Sequence, residues 1–409
     1  MITPVDITND TVTEVVGRLL GGTRTCGTDW VYLQHWLLEF GAASWKLRMI
    51  VEELVEWLGN GRPPSAAYRA LMSSQLIALE KQTSIRPVGV GETLWRMMAK
   101  CLLRVLGPEA KVACRTTQLV GGVEAGIEGA IHAMRVLWEE HNQEEDWGFL
   151  LIDACNASNE ENQTAMLWAV QHEWPSGAQF TFNCYCHWST LVVWDTGDKS
   201  GHLLNSKKGM TQGKPIAIIA YGIGVIPLIW DLRGARPQVT KSWYADKAGV
   251  GGKFQNTMEH LSDLQAHRLA RGYYPEPTKS IFVVDPGNIT CVEEHFQGLG
   301  IRVGAGHGYL GGYIRDREAE GSGLAGKIKG RTESVEILAG VDQKHLQSAY
   351  VGLQKSLQQG WVFVQRVTPG VRDAFGPVEA ALWETFVSEF FEGLCEGVPE
   401  RGVTHIPVK

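Results

Sequence analysis

Apolar residues recur at helical spacing through roughly the first 60 residues. The clearest stretch is "SWKLRMIVEELVEWLG", where Leu47, Ile50, Val51, Leu54 and Leu58 fall on one face. Ser44 stands where a cap would start that helix, and Gly59 with Pro63 marks its end. "TLWRMMAKCLLRVLG" is a second amphipathic helix, with Leu94, Met97, Met98, Cys101, Leu102 and Val105 on its apolar face. Arg96, Lys100 and Arg104 recur every four residues and form a basic stripe. The period then changes. "WGFLLID" is a short apolar run ending on Asp153, the pattern of a buried strand. "NEENQTAMLWAVQHEWP" reads as a helix capped by Asn159, with Pro175 after its end. "TLVVWDTGDKSGHLLNS" reads as a hairpin turning over Asp195 to Gly201. "PIAIIAYGIGVIPLIW" reads as a buried helix. "SWYAD" and "KAGVG" read as two short strands joined tightly at Asp246-Lys247. A helix from Phe254 to Arg271 and a strand "KSIFVV" follow.

Strand, helix, hairpin, helix, hairpin, helix, strand is the order of an α+β domain with an antiparallel sheet and helices on one face. Four segments are expected: a helical region over 1–60, a second block over 61–145, the mixed block over 146–290, and 291–409. The last opens with a short α/β piece and continues in long amphipathic segments such as "HLQSAYVGLQKSLQQGWVFVQRV", which predicts a helical C-terminal domain. "GAGHGYLGG" lacks dinucleotide-fingerprint spacing and predicts a tight turn or hairpin.

Composition narrows the class. The 409 residues are 44% hydrophobic and 20% charged, ordinary for a soluble globular protein. The net charge of −7 argues mildly against a general polyanion binder. Charge is unevenly spread, because Glu80 to Gln118 holds seven Lys/Arg against three acids. That stretch is either a solvated helix face or the wall of a groove for phosphates. Eight scattered cysteines without paired CxxC motifs fit reduced thiols in a reducing compartment. Cys184-Tyr185-Cys186-His187 lacks a second pair at zinc spacing. The N-terminus has no signal-peptide pattern, and the Pro215–Trp230 run is short of a bilayer span. An intracellular protein, cytoplasmic or nuclear, with no membrane partner is expected. Every Gly-Lys pair lacks the Ser/Thr of a P-loop.

Asp153 and Asp246 stand out because each ends an apolar strand. In an antiparallel sheet such ends can lie side by side, where two carboxylates repel unless a cation neutralises them. Carboxylates, phosphate oxygens and water are the ligands Mg²⁺ takes. The other reading is two unrelated surface or capping aspartates.

Six segments resemble, in order, the reverse transcriptases of non-LTR retrotransposons. "IRPVGVGETLWRMMAKCLL" is similar to the fingers strand and basic helix. "LLIDACNASNE" resembles the first palm motif, and "KGMTQGKPIAIIAYGIGVIPL" the Gly-x-x-Gln-Gly-Asp-Pro motif with its apolar helix. "WYADKAG" resembles the Tyr-Ala-Asp-Asp hairpin. "YYPEPTKSIFVV" resembles the following Lys-bearing segment, and "YLGGYI" the primer-gripping Leu-Gly segment. The resemblance runs over about Ile85 to Ile314 and leaves the first 60 residues without a counterpart.

That resemblance implies a right-hand polymerase: fingers over 61–145, a palm over 146–290 with an antiparallel sheet, and a palm end with a helical thumb over 291–409. It implies addition of deoxynucleotides to a primer 3′-OH on an RNA or DNA template, with two Mg²⁺ ions, or Mn²⁺ in their place. Carried across by position, Asp153 and Asp246 are metal ligands, Lys81 and Arg86 hold the triphosphate, Gln212 and Gly213 pack against the template–nucleotide pair, and Lys279 lies near the pyrophosphate.

This chain departs from the pattern at three positions. Lys247 stands where the motif has its second Asp, Lys214 where Gln-Gly is followed by Asp, and Ser158 where an aromatic excludes the ribose 2′-OH. A unit charge about 5 Å from a divalent ion interacts by roughly 6 kcal/mol at an effective dielectric of ~20, and an ammonium reverses the sign. A degenerate copy with strongly impaired activity is expected; a polymerase-fold protein that only binds nucleic acid is the alternative. Lys214 is also expected to disturb the start of the following helix.

Overall fold

The computed structural model describes residues 4–21, 27–81, 84–194, 200–314 and 317–388. The chain forms two compact units: Met1–Ala130 with Leu137–Gly304, and Ile131–Val136 with Ala305–Lys409.

The first unit opens with helices α1 (Asn9–Gly17), α2 (Trp30–Leu38), α3 (Ala42–Asn60) and α4 (Ser65–Leu71). The expected face of α3 is rotated. Val51, Val55 and Leu58 are buried, whereas Ile50 is 61% exposed. Ser44 is not a cap but a buried residue inside the helix. Its hydroxyl accepts from Phe40 N at 2.8 Å and donates to Trp36 O at 2.8 Å, tying α3 to the end of α2.

Strands β1 (Ser74–Lys81) and β2 (Ser84–Gly91) form a hairpin, followed by α5 (Thr93–Cys114), α6 (Leu119–Gly122) and α7 (Gly126–His141). Strand β3 (Trp147–Asp153) is buried along its length except at Asp153. It reads as a continuous apolar run because it is paired on both sides. Helices α8 (Ala157–Glu160), α9 (Gln163–Glu173) and α10 (Pro175–Tyr185) follow. The cap of α9 is Asn162, whose side chain accepts from Thr164 N at 3.0 Å and Ala165 N at 3.2 Å, and not Asn159. Pro175 ends one helix and begins the next, because a proline at the first helical position gives up no hydrogen bond.

Strands β4 (Ser189–Trp194) and β5 (Gly201–Ser206) form the expected hairpin; Asp195 to Lys199 of its turn lie outside the described residues. This hairpin joins β1 and β2 in a sheet of order β2-β1-β4-β5, with β1 and β4 parallel. The expected buried helix is two, α11 (Ala217–Gly224) and α12 (Ile226–Ala235), broken at Val225 before Pro227.

The second sheet has β6 (Thr240–Tyr244), β7 (Lys247–Lys253), β8 (Ile281–Val283) and β9 (Arg302–Gly304) around β3, in the order β6-β7-β3-β8-β9. All pairs are antiparallel except β8 with β9. Helix α13 (Phe254–Arg271) covers the expected range. With α14 (Ile289–His295) the unit is a mixed α+β fold, as expected, over one continuous core that includes Trp95, Trp174, Trp243 and Phe282.

In the second unit, the glycine-rich segment is the expected hairpin, β10 (His307–Tyr309) and β11 (Gly312–Ile314), turning through Leu310 and Gly311 at positive φ. Helices α15 (Arg317–Gly352, broken at His345), α16 (Gln358–Val367) and α17 (Gly376–Ala380) supply the expected helical C-terminal part.

Candidate functional site

Register places Asp153, the last residue of β3, directly opposite Lys247, the first of β7. The turn between β6 and β7 is Ala245-Asp246, one residue earlier than expected, so Lys247 belongs to the strand. Ala245 has φ +51°, a conformation that costs a non-glycine residue on the order of 1 kcal/mol. A buried side chain holds it there. Gln118 Oε1 accepts from Ala245 N at 2.8 Å, and Gln118 Nε2 donates to Ala245 O at 3.2 Å. Tyr273 Oη donates to Asp246 O at 2.9 Å. Both turn residues are thus pinned by side chains from elsewhere in the unit. A lone glutamine 127 residues upstream carries no sequence signal for this role.

The Lys247 ammonium lies 2.9 Å from Asp153 Oδ2, with the two side chains 39% and 25% exposed. Asp246 is held above the usual carboxylate range, first by burial and then by the negative charge of Asp153; Lys247 and Arg86 oppose the shift. Two carboxylates and one built-in cation therefore share the strand ends. The donor set does not fit a divalent ion. Mg²⁺ needs several oxygen ligands, and one of the two carboxylates is already engaged by an ammonium. Among the described residues, no three His, Cys, Asp or Glu side chains come together in a group that could hold a metal ion.

The other expected positions lie on separate segments of the unit. Arg86, exposed on β2, acts electrostatically on Asp246. Gly89, three residues on, donates to Gln212 O at 2.8 Å. Gly213 has φ +99°, and a Cβ there would meet Gly89 O at 2.6 Å, so the loop seats on β2 only because it is glycine. Ser158 O accepts from Met210 N at 2.5 Å, which anchors the same loop to α8. Lys279 is exposed on a 3-10 turn, Pro277–Lys279, and its charge reaches Cys155 and Glu276. That segment runs beside the end of β3: Glu276 N donates to Asp153 O and Cys155 N to Tyr274 O, each at 2.8 Å. The Lys81 side chain lies outside the described residues.

Lys214 does not disturb the helix start. Ala217 N bonds Lys214 O at 3.1 Å and α11 follows. Its side chain is 4% exposed and donates to Ser189 Oγ at 2.8 Å.

The basic stripe of α5 is not an open groove wall. Arg104 pairs with Glu14 on α1 through Nε and Nη2, each 3.0 Å from a carboxylate oxygen. Arg96 Nη2 donates to Leu20 O at 2.9 Å. Burial and the neighbouring Arg96 lower the Lys100 ammonium below its usual range. The stripe binds the N-terminal region, which sequence periodicity alone does not distinguish from solvent or phosphate.

No family model matches the chain, and no curated protein matches it in sequence. Solved structures do. Apo telomerase from Candida tropicalis truncated of its C-terminal domain is 12% identical over 53% of this chain and 51% of that one, with a TM-score of 0.43. Apo telomerase from Candida tropicalis is 10% identical over 79% of this chain and 63% of that one, with a TM-score of 0.47. Telomerase from Candida albicans in complex with a fragment of telomeric RNA is 10% identical over 85% of this chain and 65% of that one, with a TM-score of 0.44. The chain thus spans about half to two-thirds of the length of these structures.

Proposed function

We propose that this chain is a reverse-transcriptase-type polymerase fold, derived from a non-LTR retroelement, that holds an RNA or DNA template–primer without extending it efficiently. The observation that carries the reading is the Lys247–Asp153 ion pair beside Asp246. The ordered motif segments support the polymerase ancestry: Asp153 ends the strand paired with β7, Asp246 lies in the adjoining turn under the charge of Arg86, and the Gln212-Gly213 loop seats on β2, the strand that carries Arg86. The same geometry argues against turnover. A polymerase needs its strand-end carboxylates free for metal, and here an ammonium holds one of them. Each ~1.4 kcal/mol lost from transition-state stabilisation costs tenfold in rate, so a loss of several kcal/mol leaves little activity. Residual activity would discriminate poorly between ribo- and deoxynucleotides, since Ser158 stands where an aromatic would exclude the 2′-OH.

The test is primer extension on poly(rA)/oligo(dT) with Mg²⁺ or Mn²⁺, with fluorescence-anisotropy binding of the same duplex across a salt titration. Binding that weakens with salt, with extension far below that of Lys247→Asp, is expected. Extension by the unmodified chain at the level of Lys247→Asp would remove the argument from the ion pair. Absence of salt-dependent binding would remove nucleic acid as the partner.

A further inference from the structure

A cavity of about 180 Å³ lies between α4, the end of α10 and the first residue of β4, and no residue of the β6–β7 turn lines it. Its lining brings Arg62, Arg69 and His187 to one space, together with Tyr68, Cys184 and Ser189. No aspartate or glutamate lines it. Among the described residues, the side chains of these two arginines and of the histidine make no hydrogen bond or ion pair.

Behind Ser189 sits Lys214, 4% exposed, with its ammonium 2.8 Å from Ser189 Oγ. An ammonium has three donors, and Ser189 accepts one of them. No carboxylate pairs with Lys214 among the described residues, and a buried cation without an anion is costly. Burial pulls the ammonium down to about 8. The neighbouring Cys184 does not supply the missing charge, since burial pushes its thiol up to about 12. The Ser189 hydroxyl accepts from Lys214, which leaves its own proton free to donate into the cavity. Further positive charge stands at the rim, where Lys207 Nζ lies 4.5 Å over the ring of the lining residue Trp188.

We propose that this cavity binds a phosphate group, gripped by Arg62 and Arg69 at the mouth and by the Ser189 hydroxyl, backed by Lys214, at the floor. Planar guanidinium forks suit phosphate oxygens. The volume is below the ~300 Å³ at which pockets begin to enclose a drug-sized molecule, so the occupant is a phosphate or a phosphate-bearing end and not a whole nucleotide. The inference stands apart from the polymerase reading, because it uses none of the strand-end residues.

Two sources share this chemistry: free inorganic phosphate and the 5′-phosphate of an oligonucleotide. Thermal unfolding is followed in phosphate against chloride at matched ionic strength, and binding of a 5′-phosphorylated oligonucleotide is compared with its 5′-hydroxyl form. Phosphate is expected to raise the melting temperature. Arg62→Ala/Arg69→Ala, both exposed positions, should weaken the apparent affinity by roughly tenfold or more, and Lys214→Met should weaken it as well. Preference for the phosphorylated oligonucleotide, lost in the arginine variant, assigns a nucleic-acid end; equal binding of the two oligonucleotides with a retained phosphate response assigns the free ion. A melting temperature indifferent to phosphate, or a phosphate response undiminished in the arginine variant, overturns the proposal.

Discussion

Lys247 and Asp153 face each other across β7 and β3, and their 2.9 Å contact sets a protein cation against the carboxylate that ends β3. Asp246 sits beside them in the turn with its carboxyl pushed up by burial and by Asp153. The arrangement neutralises by covalent design what a divalent ion would otherwise have to neutralise. Lys247→Asp therefore adds a third carboxylate beside Asp153 and Asp246 and removes the cation paired with Asp153, leaving Arg86 as the named positive charge acting on the turn. It should destabilise the protein by about 1–2 kcal/mol in EDTA, given that the pair is part-exposed. Mn²⁺ or Mg²⁺ should restore the melting temperature of the variant while leaving the unmodified protein unchanged. A variant as stable in EDTA as with metal would refute this account of the strand ends.

The tip of the same hairpin depends on Gln118, which satisfies both backbone groups of Ala245. Gln118→Ala leaves a donor and an acceptor without those partners and should cost about 2–3 kcal/mol in urea denaturation. Ala245→Gly should instead stabilise by up to ~1 kcal/mol, because glycine adopts the φ of +51° without the Cβ penalty. Opposite signs for the two variants identify the strain; equal destabilisation by both would place it elsewhere.

These two residues also show where sequence reasoning reaches and where it stops. The apolar run ending on Asp153 was legible because a strand buried on both faces has no other pattern. Helix α13 was legible to its ends because Gly272 terminates it in the left-handed conformation. The hairpin joint was misread by one residue, since Ala245 gives none of the Gly or Asn signals of a turn that needs positive φ. Its conformation is imposed by Gln118 from 127 residues away. The face of α3 and the stripe of α5 failed for a related reason. Periodicity finds an amphipathic helix, but the contacts of Ser44 with α2 and of Arg104 with α1 decide which side is buried and which charge is free.

Glu161 supplies a pH test independent of the hairpin. It is fully buried, and neither carboxylate oxygen has a hydrogen-bond partner among the described residues. Burial pushes its carboxyl well above the usual range, so the native state keeps a proton that the unfolded chain releases above about pH 4.3. Stability is therefore lost as pH rises from there towards the native value. Glu161→Gln keeps the shape and removes that ionisation. It should raise the urea midpoint at about pH 7 and give no gain at about pH 4, where both states of the unmodified protein are protonated. A pH-independent difference between the two proteins would show that ionisation of Glu161 is not what the fold opposes.

Arg86 and Arg104 make opposite predictions for nucleic-acid binding although both belong to the basic stretch. Arg104 is committed to Glu14 by two contacts of 3.0 Å. The Arg86 side chain makes no hydrogen bond with a described residue and is exposed, with its charge acting on Asp246. A phosphate neutralised by one arginine contributes about one unit to the slope of log affinity against log salt. Arg86→Ala should weaken template–primer binding and reduce that slope by about one, whereas Arg104→Ala should leave both close to the unmodified protein. The reverse ranking would mean that the Glu14 contact opens on binding and that the stripe of α5 is a phosphate wall after all.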